Sequence, residues 1–209
     1  MPGIRSRGHG ADGIKIIATV TTLAAAVLAT GCSAPAPAGA PGQPAPAGGG
    51  SRPLSRLYLL EAWGAPPGDT TAMLAPGLAR TIVLRHAPPD NTVFAELHLP
   101  AGAFAPAAAA ADSVGITLVP RPGVYGLDIT TTQPLAAPAV LVFKYPIHFS
   151  APADATRRYG NTAAFERALV IAREESPGVF RLLPSTRPAT DNLQATISGA
   201  GSYLVVAPR

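Results

Sequence analysis

From residue 54 onward, apolar and polar positions come in short runs separated by Pro, Gly, Asp and Asn. Between residues 92 and 99, Val93, Ala95, Leu97 and Leu99 alternate with Phe94, Glu96 and His98. Residues 192–198 repeat the pattern, with Leu193, Ala195 and Ile197 set against Asn192, Gln194 and Thr196. A period of two is the mark of a half-buried strand. Further short apolar runs occupy 57–60, 80–85, 114–119, 124–130, 139–145, 167–172, 178–183 and 202–207. Pro88-Pro89-Asp90-Asn91, Pro120-Arg121-Pro122-Gly123 and Ser176-Pro177-Gly178 supply turn chemistry between neighbours, because proline presets one dihedral and glycine accepts positive φ. About nine or ten short strands at this spacing predict an all-β fold, an antiparallel sandwich or barrel, with the β-sandwich as the expected form. Helix is scarce. Residues 106–112 are alanine-rich enough for two turns, and 162–172 has a period that fits helix or strand.

The pattern changes before residue 54. An apolar run over 16–30 follows Arg5, Arg7 and Lys15 and ends in small residues. That order is the grammar of a secretory signal. The run is shorter than the roughly 20 residues that cross a bilayer as a helix, so it is expected to be cleaved. Residues 33–52, SAPAPAGAPGQPAPAGGGSR, contain no large apolar side chain and cannot bury enough surface to offset the entropy of ordering. They read as a disordered Ala/Pro/Gly tether. The expected organisation is a signal at 1–31, a tether at 32–53 and one β-sandwich domain at 54–209.

Leu28-Ala29-Thr30-Gly31-Cys32 closes the apolar run, and with it residues 1–32 resemble a bacterial lipoprotein precursor. Ala29 stands where that family usually has leucine. The resemblance implies cleavage between Gly31 and Cys32, a diacylglyceryl thioether on Cys32 and acylation of the new amino terminus. Several acyl chains anchor stably, at about 0.8 kcal/mol per buried methylene. The position after the cysteine is Ser33, not the aspartate that marks inner-membrane retention in this family, which favours the outer membrane.

Charge adds little beyond the signal. Of 16 basic and 12 acidic residues, Arg5, Arg7, Lys15 and Asp12 leave with it, so the mature 178 residues carry 13 and 11. Lys144 is their one lysine. No clustered basic footprint exists, and no nucleic-acid partner is expected. Cys32 is the single cysteine; once acylated it leaves no thiol for a disulfide or a cysteine-metal site.

Candidate chemistry in the body is sparse. His86, His98 and His148 lack the close spacing of metal motifs, and His98 lies on a polar strand face; solvated or hydrogen-bonded roles are expected, with no metal or cofactor. Asp69, Asp90, Asp112, Asp154 and Asp191 sit near turns, where aspartate is a standard residue, and make no compact calcium loop. Glu174-Glu175 reads as a solvated hairpin end, Ser198-Gly199-Ala200-Gly201-Ser202 as a hairpin turn, and Trp63 as a packing residue or a ligand platform. No nucleophile elbow or phosphate-cradling glycine loop is present.

Three further segments carry a second resemblance. They are Leu99-Pro100-Ala101-Gly102-Ala103-Phe104, Leu141-Val142-Phe143-Lys144-Tyr145-Pro146, and residues 192–197 with Gly201-Ser202-Tyr203-Leu204 as a closing hairpin. In their order, residues 78–209 resemble the ZU-five-type β-sandwich of ankyrins, netrin receptors and bacterial relatives. The resemblance implies a binding or interaction module, not an enzyme. Some members cut their own backbone at a His-Phe-Ser triplet, and His148-Phe149-Ser150 occurs here. In that chemistry His148 takes a proton from Ser150, whose Oγ attacks the Phe149 carbonyl. The expected function is therefore a lipid-anchored envelope module that binds a protein or glycan partner. The alternatives are self-cleavage between Phe149 and Ser150, and a periplasmic metal or small-ligand carrier using the histidines.

Overall fold

The computed structural model describes residues 49–105, 113–146 and 148–209. The signal, Cys32, most of the tether and the alanine-rich stretch 106–112 lie outside them. The described chain runs β1 (Ser51–Pro53), a 3-10 turn (Leu54–Arg56), β2 (Leu57–Leu59), β3 (Glu61–Ala62), β4 (Thr70–Leu74), β5 (Arg80–Arg85), β6 (Val93–Leu99), β7 (Val114–Pro120) and β8 (Gly126–Thr131). It continues through β9 (Ala139–Lys144), β10 (Phe149–Ser150), α1 (Ala153–Tyr159), α2 (Thr162–Arg167), β11 (Val170–Ser176), β12 (Val179–Leu182), β13 (Ser185–Thr186), β14 (Asn192–Ile197) and β15 (Gly201–Pro208).

These strands make an antiparallel β-sandwich. One sheet has the order β1-β12-β11-β15-β8-β7-β4, with β2 also paired to β15; the other has the order β13-β14-β9-β6-β5. A two-stranded ribbon, β3 with β10, stands apart from both. Ten strands are four residues or longer, and nine of them coincide with runs the sequence anticipates; β4 was not anticipated, and the expected run 57–60 is the short β2, which like β1, β3, β10 and β13 has two or three residues.

The period-two pattern determines the core. Ile116, Leu118, Leu127, Ile129, Tyr203 and Val205 from the larger sheet face Leu84, Leu97, Leu141, Phe143, Leu193 and Ile197 from the smaller one, all buried in one cluster. Each such side chain contributes about 1.5–3 kcal/mol by leaving water. On β15 the intervening Leu204 and Val206 are also buried, in a smaller cluster with Phe180 and Leu182. The strand that closes the chain is therefore apolar on both faces.

Three departures from the sequence expectation have local causes. Residues 192–204 do not form a hairpin: β14 pairs β9 while β15 pairs β11 and β8, so Ser198 to Ser202 crosses between sheets. Alternation fixes which face of a strand is apolar, not which strand lies beside it. Strand pairing reaches into the stretch read as tether, since Ser51–Pro53 pair with β12; Pro53 is tolerated at a sheet edge, where its missing N–H costs no ladder bond. The ambiguous stretch 162–172 divides, with α2 first and β11 from Val170. The Asn161 side chain accepts the Ala164 N–H at 2.8 Å and fixes the start of α2. Phe165 and Ala155 seat the two short helices in the core.

Candidate functional site

The loop between β5 and β6 brings two chemical groups to one end of the sandwich. His86 follows directly on β5, and its backbone N–H donates to the Thr92 carbonyl at 2.9 Å, closing the loop. Asn91 has φ 53, a left-handed conformation that asparagine enters more readily than most residues. Asp90 sits at this turn. The register of β5 and β6 shifts between Leu84, paired with Ala95, and Arg85, paired with Val93, which leaves Phe94 as an unpaired bulge residue. Phe94 lies on the polar side of the sequence alternation, yet it is 1% exposed. A bulge redirects a side chain in this way.

Phe94 anchors an aromatic row. It stacks on Tyr125 with ring centroids 5.0 Å apart and meets His86 edge-on at 5.6 Å. Tyr125 in turn meets Tyr145, and Tyr145 meets Phe149. His148 enters from the segment between β9 and β10. Its ring lies 4.4 Å from that of His86, and its Nε2 is hydrogen-bonded to the Asp90 carboxylate. Trp63 packs edge-on against His148 at 4.5 Å while remaining 54% exposed. Gly64 has φ 86, a conformation costly for other residues, and a side chain there would approach His148 Nδ1 at 4.0 Å.

His86, Asp90 and His148 each place one donor atom within 4.8 Å of the other two. They form the one such group of His, Cys, Asp and Glu among the described residues. His86 Nδ1 lies 3.3 Å from the Ala65 carbonyl. A carbonyl only accepts, so Nδ1 carries the proton and Nε2 keeps its lone pair. Burial is the largest single influence and raises the Asp90 carboxyl, but the hydrogen bond and charge of His148 together with Thr92 hold the group below its ordinary value. Thr92 Oγ1 acts without a hydrogen bond of ordinary geometry. Burial pushes the Tyr125 hydroxyl above its usual range, and the charge of Asp90 adds in the same direction.

Satisfaction is incomplete here. Among the described residues four buried side-chain atoms lack a hydrogen-bond partner, and three of them, Thr92 Oγ1, Tyr125 OH and His148 Nδ1, belong to this end of the sandwich. Buried polar groups are normally paired, and each exception asks for a water, an ion or a role. Beside the cluster runs an open groove of about 530 Å³, lined by Glu61, Trp63, Val124, Ser150 and Arg209 among others.

The remaining candidates disperse. His98 is bound on the outer face between Thr81 Oγ1 at 3.0 Å and Glu96 at 3.1 Å. His148 and Ser150 are engaged separately: Ser150 Oγ points to Glu61 at 3.5 Å, and no hydrogen bond joins the two among the described residues. Asp154 pairs with Arg157 on α1, and Asp112 lies outside the described residues. Glu174 and Glu175 do sit at the β11–β12 hairpin, bound by Arg121 and Arg181. Sequence spacing missed the grouping of His86 and Asp90 with His148, since Asp90 and His148 are 58 positions apart. The one available signal was the Pro-Pro-Asp-Asn turn so soon after His86.

Compared with family models, with characterised proteins and with solved structures, the chain matches none. Among the described residues no helix is long and apolar enough to cross a membrane.

Proposed function

We propose that this chain is a lipid-anchored cell-envelope protein whose β-sandwich works by binding rather than by catalysis. The anchor is Cys32, acylated after the signal is removed, and the Ala/Pro/Gly tether spaces the body from the bilayer. Ser33 favours the outer membrane. The family proposed for residues 78–209 is the ZU-five-type sandwich, on the Leu99-Pro100-Ala101-Gly102 turn and the strand ending in Tyr145-Pro146.

The observation that carries the binding reading is Trp63. It is a large aromatic left more than half exposed, between an open groove and a buried polar cluster. Amphipathic aromatics in such positions supply contact area at low entropic cost. Self-cleavage at His148-Phe149-Ser150 draws less support, because no hydrogen bond joins His148 to Ser150 among the described residues and Ser150 faces Glu61.

The test uses the full chain expressed in a bacterium with two membranes. Radiolabelled fatty acid is expected to enter the wild-type chain and not Cys32→Ala. The mature protein is expected to run as one species. A C-terminal fragment beginning at Ser150 would replace the binding reading with self-processing, and an unlabelled wild-type chain would remove the anchor.

A further inference from the structure

We propose that His86, Asp90 and His148 form a binding site for a divalent transition-metal ion of the zinc type. This inference rests on the reading of the sandwich as a binding module and names the ligand class that module takes.

Three observations converge on it. The first is the donor set. Two imidazoles and one carboxylate supply three protein ligands, the number found where zinc keeps a fourth position for solvent or a further ligand. Donor atoms within 4.8 Å of one another lie slightly wider than a tetrahedral zinc shell, with bonds of about 2.0–2.2 Å, requires. Binding therefore requires the imidazoles to turn inward toward the ligand–ligand spacing of about 3.3–3.6 Å that those bonds set.

The second is orientation. Nδ1 of His86 donates to the Ala65 carbonyl, which fixes the tautomer and presents Nε2. A carbonyl or carboxylate behind the imidazole is the usual support of a metal-bound histidine. The His148 ring is held between Trp63 and His86, so its direction is set by packing before any ion arrives.

The third is the unpaired polar atoms. Tyr125 is 1% exposed and its hydroxyl has no partner, as is true of Thr92 Oγ1 and His148 Nδ1. The histidine–aspartate hydrogen bond leaves all three of these atoms unpartnered, and each such exception asks for a water, an ion or a role. An ion with its water ligands offers them partners. The donor chemistry selects the ion. Calcium and magnesium call for shells of oxygen, and this site offers one carboxylate. Soft ions call for thiolates, and no cysteine lies in the body. Imidazole with one carboxylate suits zinc and its neighbours.

The experiment uses the full chain carrying Cys32→Ala, so that no thiol competes, stripped with a chelator and titrated with zinc chloride against a chromophoric competitor. One zinc per chain is expected. His86→Gln and Asp90→Asn are each expected to weaken binding at least about tenfold, and His98→Gln to leave it unchanged. Equal binding by wild type and His86→Gln, or no uptake at all, would overturn the site. Because Asp90→Asn could disturb the loop, the unsubstituted histidines are also followed by nitrogen-15 NMR. Zinc must move the ring resonances of His86 and His148 and spare His98; movement of His98 alone would sink the proposal. Fatty-acid labelling reads the anchor and zinc titration reads the site, so either can fail without the other.

Discussion

Two clusters in this sandwich contain histidine and carboxylate, and they differ in what surrounds them. On the outer face of the smaller sheet, Glu96 receives Lys144 Nζ at 2.6 Å and His98 at 3.1 Å, and His98 also meets Thr81. The groups of that cluster have partners, and His98 is 41% exposed. At the end of the sandwich, His86 is buried, Asp90 and His148 are mostly covered, and nearby polar atoms go without partners. The same residue types thus make a fully partnered brace in one place and an incompletely partnered cluster in the other. His98, the more exposed member of the first cluster, gains little because water competes for its partners. A buried cluster makes each unpaired atom expensive.

The largest effect expected from breaking this contrast comes from the aromatic support of the buried cluster. Phe94→Ala should cost about 3–5 kcal/mol, because it empties a site packed by His86, Tyr125 and Phe143. Denaturant unfolding measures it, and a cost near that of a surface substitution would mean that the bulge leaves Phe94 dispensable. Next comes Asp90→Ala, which leaves His148 buried with neither ring nitrogen bonded. Asp90→Ala is expected to lower the melting temperature more than Glu96→Ala, because it strips the His148 ring of its only hydrogen bond among the described residues, whereas Lys144 and His98 keep water or Thr81 as partners. Thermal melts of the two variants side by side give the comparison directly.

Acid sharpens it further. For Glu96, burial acts to raise the carboxyl, but Lys144 and His98 together hold it below its ordinary value of 4.5; Asp90 is likewise held down by His148 and Thr92 against burial. A carboxyl lowered in the folded state contributes stability that is complete above its ordinary value and is lost as pH falls through the lowered one. Melting temperature should therefore be unaffected by these groups near neutrality and decline below about pH 4.5. Asp90→Asn should flatten part of that decline; a profile identical to wild type would show that Asp90 contributes nothing to it. The smallest effect is expected at Tyr125→Phe. Removing a buried hydroxyl without a partner should change stability by less than about 1 kcal/mol, or raise it. A large loss in metal-free protein would reveal a bond to that hydroxyl.

Much of the fold was legible because one face of each strand is buried. Residues 80–85, predicted from composition, are β5, and 92–99 and 139–145 differ from β6 and β9 by one residue. Strands of two or three residues, such as β3 and β10, are too short to show a period. The short helix α1, which begins just after Pro152, escaped notice because Asp154, Arg157 and Arg158 leave only Ala155 buried. Of the candidate site, the sequence offered His86 and His148 only together with His98 as a possible metal set, and Asp90 and Trp63 as separate residues with separate readings.

Alternation and strand spacing along the chain determined by themselves that this body is built of short antiparallel strands, since a period of two commits most runs to one buried face. The sequence itself also carries the run of charge, apolar and small residues that leads to Cys32. Tertiary structure alone decided that β14 and β15 part company between sheets, that Phe94 turns inward at a bulge, and that the β5–β6 loop meets the segment after β9. The physical reason is range. Patterning is set by neighbours two residues away, whereas a cluster of His86, Asp90 and His148 exists only once two distant loops are fixed at the same end of a packed core.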